Sequence, residues 1–351
     1  MSKVFITGAS AISAQPTFGG EGALGPRWYE AHPLMATIPD ISSFVPPMQA
    51  RRMTRLVKLG IAAGMDALKK AGVQKPGAVI VGTGDGCKQS TERFLNNMIE
   101  HDEQVPDPTA FIGSTHNGVA GQIAMAVDCK GYNYTYLHAG LSFPSALADG
   151  LLQVREGQRN VLVGGVDVIT PGFITTQASC CVWRAEARTG NRDVLDRPGP
   201  GALAGEGSAY FVLDSEPNEA PVEVLAAGLY QGLTATDFLK EVRTGLHGAG
   251  LETDHVDAVL TGLCGDTALD ADYPALIEPF PNAGAAAYKH LTGEYYTANA
   301  LGTWFLWDGL RSGQWPAAMV HKPIPVGATV GLLLDHFRNN NRSFVLLRKS
   351  G

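Results

Sequence analysis

Seven short apolar runs punctuate this chain, and longer stretches of helical character separate them. In order they are Val4-Phe-Ile-Thr, Ala78-Val-Ile-Val-Gly, Val161-Leu-Val-Gly-Gly, Ala209-Tyr-Phe-Val-Leu, Val222-Glu-Val-Leu, Ala258-Val-Leu-Thr-Gly and Phe344-Val-Leu-Leu. Runs that are apolar throughout, without an alternating polar face, belong to strands covered on both sides, and the intervening helices must supply the cover. The reading is a layered α/β fold. Between the first two runs, Met53, Val57, Ile61, Met65 and Leu68 recur at helical spacing, Lys69 and Lys70 fall in the last turn, and Gly72 offers the C-terminal stop.

The pattern also repeats. Ala78-Val-Ile-Val-Gly82 is echoed by Ala258-Val-Leu-Thr-Gly262. The helical stretch from Ser145 to Gly157, which contains Asp149-Gly150 and runs into Gln158, is echoed by Gly302 to Gly313, which contains Asp308-Gly309 and runs into Gln314. Two echoes in matching order predict two similar α/β halves, residues 1–215 and 216–351. The Pro- and charge-bearing stretch Glu216-Pro-Asn-Glu-Ala-Pro221 would be the exposed connection.

Composition narrows the function. The net charge of −7 is spread along the chain, with no Lys/Arg stripe to grip a phosphate backbone, so nucleic acid is not an expected partner. No apolar run reaches the roughly 18 residues needed to span a bilayer, and the N-terminal segment reads as a strand rather than a signal peptide, so the expected location is the cytoplasm. Five cysteines, Cys87, Cys129, Cys180, Cys181 and Cys264, form no C-x-x-C pair, and the nine histidines show no ligand spacing; the expectation is buried free thiols and no metal. Gly82-Thr-Gly-Asp-Gly86 lacks the Lys-Ser/Thr of a phosphate loop and reads as a plain strand-to-helix turn.

The chemistry should sit at Gly131-Tyr-Asn-Tyr-Thr-Tyr-Leu-His-Ala-Gly-Leu-Ser-Phe-Pro-Ser145, where an alternating strand meets a tight turn at Gly140 and then a helix, with Ser142 or Ser145 as its cap. A helix N-terminus lowers a thiol's pKa and stabilises an oxyanion, so an elbow of this kind commonly carries a nucleophile. Ser142 with His138 lacks the second glycine of G-x-S-x-G and an acid partner, which makes helix capping the simpler role.

The segments in this order resemble the β-ketoacyl synthases of the thiolase superfamily, along essentially the whole chain. Lys3-Val-Phe-Ile-Thr-Gly8 resembles the opening strand, Pro108-Thr-Ala-Phe-Ile-Gly-Ser-Thr-His-Asn117 the segment at the dimer interface, and Gly131 to Gly140 the strand into the nucleophile. Val163-Gly-Gly-Val-Asp167, Arg197-Pro198 and Gly205-Glu-Gly207 follow in family order. The resemblance implies a thiolase-like αβαβα fold. It also implies a reaction in which a cysteine thiolate carries the acyl chain, two histidines serve decarboxylation and enolate stabilisation, and a lysine supports them.

Matched residue by residue, that machinery is missing. Gly140 stands where the cysteine would be, and Gly262 where the first histidine would be. The Lys-x-x-Thr-Gly pattern persists as Lys289-His-Leu-Thr-Gly293, but Glu294 follows where the second histidine belongs. The C-terminal Gly-rich loop resembles Asp335-His-Phe-Arg-Asn-Asn-Asn341, with Phe337 kept and the glycines replaced. Lys289 and Glu294 are expected to pair and fill the vacated site.

By this resemblance the chain is similar to the chain-length factor of type II polyketide synthases, an inactive subunit that pairs with a Cys-His-His ketosynthase and walls its acyl tunnel, in a pathway of aryl-polyene or flexirubin type. The implied partners are that ketosynthase and an acyl carrier protein, with no cofactor. Thr109, Phe111, Thr115 and His116 match the segment that reaches toward the partner's tunnel, or they pack only the interface. Two alternatives stand beside it. One is an enzyme of altered chemistry, a decarboxylase or acyltransferase using Lys289, Glu294 or Ser142. The other is a homodimeric scaffold that holds a carrier protein without reaction.

Overall fold

A computed structural model of the chain describes residues 2–19, 25–180, 182–185, 189–338 and 340–350. Its eleven described strands are β1 (Phe5–Ile12), β2 (Ala78–Gly82), β3 (Tyr132–Tyr136), β4 (Val161–Asp167), β5 (Gly207–Asp214), β6 (Val222–Gln231), β7 (Ala258–Thr261), β8 (Gly284–Ala287), β9 (Val320–Lys322), β10 (Val330–Phe337) and β11 (Asn341–Lys349). They lie in the order β3-β2-β4-β5-β1-β6-β11-β10-β7-β8-β9.

The order contains a repeat. Strands β3-β2-β4 are mutually parallel, β5 turns antiparallel to β4, and β1 lies antiparallel to β5. In the second half β8-β7-β10 are parallel, β11 is antiparallel to β10, and β6 is antiparallel to β11. The halves meet where Phe5 and Ile6 of β1 pair with Glu223 and Val222 of β6. The two helices that echo each other, Ser142–Arg155 and Ala298–Ser312, occupy equivalent places, and each is followed by a left-handed glycine, Gly157 and Gly313.

Burial explains why the strands are apolar throughout. In β2, Ala78 and Ile80 face a central cluster while Val79 and Val81 face the helix Arg55–Lys70. In β11, Val345 and Leu347 face the same central cluster while Phe344 and Leu346 face the helix Ala235–Gly248. The central cluster takes in Phe143, Leu147 and Leu151 of one echoed helix and Leu301, Trp304 and Leu306 of the other. Helices therefore form the outer layers and the middle one, which is the αβαβα arrangement.

Several details differ from the sequence reading. Phe337 belongs to the end of β10 rather than to a loop, Asn339 lies outside the described residues, and Asn340, just before β11, sits in the left-handed region that asparagine tolerates. Cys180 is exposed at the end of the helix Pro171–Ser179 instead of buried, and Cys181 lies outside the described residues. Ser142 is the first residue of its helix and not its cap. Among the described residues, no helix is long and apolar enough to cross a membrane.

Candidate functional site

Strand β3 leads through Leu137 and His138 into a short 3-10 turn, Ala139–Leu141, and then into the helix Ser142–Arg155. Ala139 sits at φ 46°, a left-handed conformation that a residue with a Cβ rarely adopts. The hydroxyl of Ser142 holds it there, donating to the Ala139 carbonyl at 2.7 Å and accepting the His138 amide at 2.8 Å. The hydroxyl is thus already committed in both directions. The His138 ring faces Ser145 Oγ at 3.4 Å, so the pair does not form a nucleophile–base arrangement.

Gly140 is buried at the apex of this elbow, and its carbonyl accepts the Asn299 amide at 2.9 Å. A Cβ at this position would fall 2.6 Å from Phe337 Cβ and 2.7 Å from its Cγ. Real Cβ atoms do not approach so closely, so the aromatic side chain stands where a side chain at 140 would project. Phe337 packs in turn on Tyr296, with ring centroids 5.1 Å apart. The cavity left between Phe337, Tyr296, Phe173, Trp183, Asp85 and Asp167 measures about 10 Å³, room for one water at most. Asp167 forms its polar wall, accepting from Thr83, Gly84 and Asp85 on one oxygen and from the Thr297 amide and hydroxyl on the other. Burial, with Asp85 nearby, pushes its carboxyl up to about 7 despite those donors.

A second group sits at the C-terminal ends of β7 and β10. A Cβ at Gly262 would meet Asp335 Oδ1 at 2.5 Å, the Tyr273 hydroxyl at 2.7 Å and Lys289 Cε at 3.0 Å. Lys289 Nζ lies 2.8 Å from both Glu294 Oε2 and Asp335 Oδ1, with all three side chains buried. Tyr288 donates to Asp335 at 2.9 Å, and the Tyr273 hydroxyl accepts the His336 amide at 3.0 Å. One ammonium thus serves two carboxylates. Burial opposes the charge on Lys289, but the carboxylates of Asp335 and Glu294 outweigh it and hold the ammonium well above its ordinary range. Glu294 is pushed up to about 7, by burial first, against the pull of Lys289. A lysine so held is already protonated and paired on both sides, so it has no lone pair with which to accept a proton.

The sequence pairing of Lys289 with Glu294 is therefore present, but incomplete without Asp335, Tyr273 and Tyr288. Asn299 connects the two groups, lying 2.9 Å from the Gly140 carbonyl and 3.5 Å from Asp335. Asp335 was visible only as the first residue of a presumed loop. Glu206, inside the weak motif Gly-Glu-Gly, is buried and takes the guanidinium of Arg55 together with the Ala36 and Ile169 amides. No local signal in the sequence connects it to Arg55.

Thr109, Phe111, Thr115 and His116 lie elsewhere, on an exposed face. Asp107 caps the helix Pro108–Gly113 by accepting the Thr109 and Ala110 amides at 3.0 Å each. Phe111 packs against Phe94 at 5.4 Å yet remains 61% exposed, and Ile112 and Met125 are 70% and 75% exposed. Strand β3, with Tyr132 and Tyr134 exposed, forms the edge of the sheet. Among the described residues, no group of His, Cys, Asp or Glu is arranged to hold a metal ion.

Comparison with known proteins bears on this frame. The chain is similar over its full length to the ishigamide ketosynthase/chain length factor, at 18% identity and a TM-score of 0.82, with all of both chains covered. It is also similar to a ketosynthase (ApeO) in complex with its chain length factor (ApeC) from Xenorhabdus doucetiae, at 16% identity and a TM-score of 0.76, covering 99% of this chain and 98% of the other. A third likeness is to AntDE:AntF, a type II PKS acyl-carrier protein in complex with its ketosynthase bound to the hexaketide. There the identity is 12% and the TM-score 0.78, with 99% and 100% covered. No curated protein matches the sequence at a significant level. The likenesses carry the fold, which is thiolase-like. The model of the β-ketoacyl synthase N-terminal domain matches residues 35–218, just over half of the chain. With that match, and with its elbow and paired halves in place, the chain belongs to the β-ketoacyl synthase family.

Proposed function

We propose that this chain is a non-catalytic, chain-length-factor subunit that pairs with an active Cys-His-His ketosynthase in type II polyketide biosynthesis, of aryl-polyene or flexirubin type, and works with an acyl carrier protein. The observation that carries the reading is Phe337 packed into the space a side chain at Gly140 would need, with about 10 Å³ left beside it. There is neither a nucleophile nor room for an acyl chain at the elbow. Gly262 and Glu294 replace the histidines, and the space around them is taken by Asp335, Tyr273 and Lys289. The exposed apolar face at Phe111, Ile112 and Met125, beside the open edge of β3, supports pairing with another subunit. Solved relatives include ketosynthase–chain length factor complexes.

An enzyme of altered chemistry is disfavoured because Lys289 is buried between two carboxylates and Ser142 Oγ is bound at both ends. Co-expression with the Cys-containing ketosynthase of the same genome tests the proposal. A one-to-one complex that extends malonyl units only with both chains present is expected. Turnover by this chain alone, or stable self-association without the ketosynthase, would overturn it.

A further inference from the structure

Buried charge at the seam between the two halves does not balance. Glu294 and Asp335 share the single ammonium of Lys289, each 2.8 Å from Nζ, and none of the three side chains is more than 3% exposed. The third proton of that ammonium goes to the His336 carbonyl at 3.3 Å, so no N–H is left to serve another oxygen. The neighbouring cations are engaged elsewhere, Arg55 with Glu206 and Arg338 with Asp266. With both carboxylates ionised the cluster would hold one uncompensated negative charge away from water. Such a charge is costly in a protein interior and is ordinarily relieved by taking up a proton. The hydrogen bonds leave a seat for it. Glu294 Oε1 accepts the Tyr295 amide at 3.0 Å and Asp335 Oδ1 the Tyr288 hydroxyl at 2.9 Å. The donor facing Asp335 Oδ2, Asn299 Nδ2, stands off at 3.5 Å and is committed to the Gly140 carbonyl at 2.9 Å. The cluster also ties the halves together. The Glu294 amide donates to the Leu203 carbonyl at 2.8 Å, and the Glu294 carbonyl accepts the Gly205 amide at 3.1 Å.

We propose that the Glu294–Asp335 pair holds one shared proton in the folded chain and releases it as the pH rises through neutrality, so that the seam is a proton-dependent clamp, tight in mild acid and weaker in mild base. Every element packed on the pair contributes to its field. Lys289 comes from the helix Lys289–Thr292, His336 from β10, and Cys264 and Asp270 from the segment after β7. Tyr273 and Tyr288 stand beside them, and Asp167 and Glu206 act across Tyr295 from the first half. Of these Lys289 alone carries positive charge near neutrality. Burial outweighs it on Glu294, whose carboxyl is pushed up to about 7 from an ordinary 4.5. Between those two values the folded chain keeps a proton that the unfolded chain has lost. The stability this gives is complete below the window and is lost as the pH rises through it.

Denaturant unfolding of the full chain at about pH 5.5 and about pH 8.5, for the wild type, Glu294→Gln and Asp335→Asn, tests the clamp. Each substitution removes one of the two charges and leaves one carboxylate on the ammonium. The unfolding constant of the wild type relative to either variant should rise at least about tenfold between the two pH values. Asp167, pushed up into the same range, and His336, held below its ordinary one, are present in all three proteins and drop out of the ratio. A ratio that stays constant or falls as the pH is raised overturns the proposal. If neither variant folds, Asp167→Asn decides. A chain that still loses stability over the interval supports the clamp, and one whose stability no longer falls overturns it.

Discussion

A side chain at position 140 would have to displace Phe337, and a side chain at 262 would have to displace Asp335 or Tyr273. The space beside each glycine is therefore already taken by packed neighbours, as the close packing of a protein interior requires. Gly140→Cys alone should therefore give a thiol that resists alkylation by iodoacetamide. Gly140→Cys combined with Phe337→Ala should be alkylated, because the ring no longer fills the space. Mass spectrometry of the treated protein checks this, and ready labelling of the single variant would mean that Phe337 does not guard the position. The charged cluster makes a second prediction. Lys289→Met leaves Glu294 and Asp335 buried without their cation, and the loss should be about 3–5 kcal/mol in denaturant unfolding. A loss below about 1 kcal/mol would show that the carboxylates shed their charge at little cost.

Among the elements, the strand-edge region and the helix Pro108–Gly113 are set apart by what they leave uncovered. Phe111 and Ile112 follow a firm cap at Asp107, so their exposure belongs to a well-formed helix and not to a frayed one. Ile112→Asp should leave the melting temperature of the chain within a few degrees while abolishing co-purification with the ketosynthase, since a charge is added to a face meant for burial. Retained co-purification would place the interface elsewhere. The legibility of the elements followed their chemistry. β2, β4, β5 and β11 were evident as Val- and Leu-rich runs, and the helix Arg55–Lys70 as a 3.6-residue repeat, with Thr54 accepting the Val57 amide at its start. β8 is Gly-Ala-Ala-Ala, which has no β-branched residue to mark it, and it is a strand because β7 and β9 pair with it on either side. The end of β10, Asp335, His336 and Phe337, read as loop because the stretch to Asn341 resembles the family's Gly-rich loop. Their burial comes from packing against residues far away in the sequence.

At the scale of the whole molecule, two echoed α/β halves stack so that one pair of helices fills the middle and others close the outside. That symmetry was visible as two short sequence echoes, because the buried helices Ser142–Arg155 and Ala298–Ser312 must solve the same packing problem. The cluster around Gly262 and Gly140 was not visible, because Asp335, Tyr273 and Asn299 reach it from separate elements and no local pattern links them. In the proposed function the packed elbow of the family frame carries no chemistry, and the exposed apolar face at Phe111, Ile112 and Met125 receives the partner. The most direct test is intact-mass spectrometry of the co-purified complex during incubation with an acyl donor on its carrier protein. The acyl mass should appear on the ketosynthase alone and never on this chain. A stoichiometric acyl adduct on this chain would contradict the central claim.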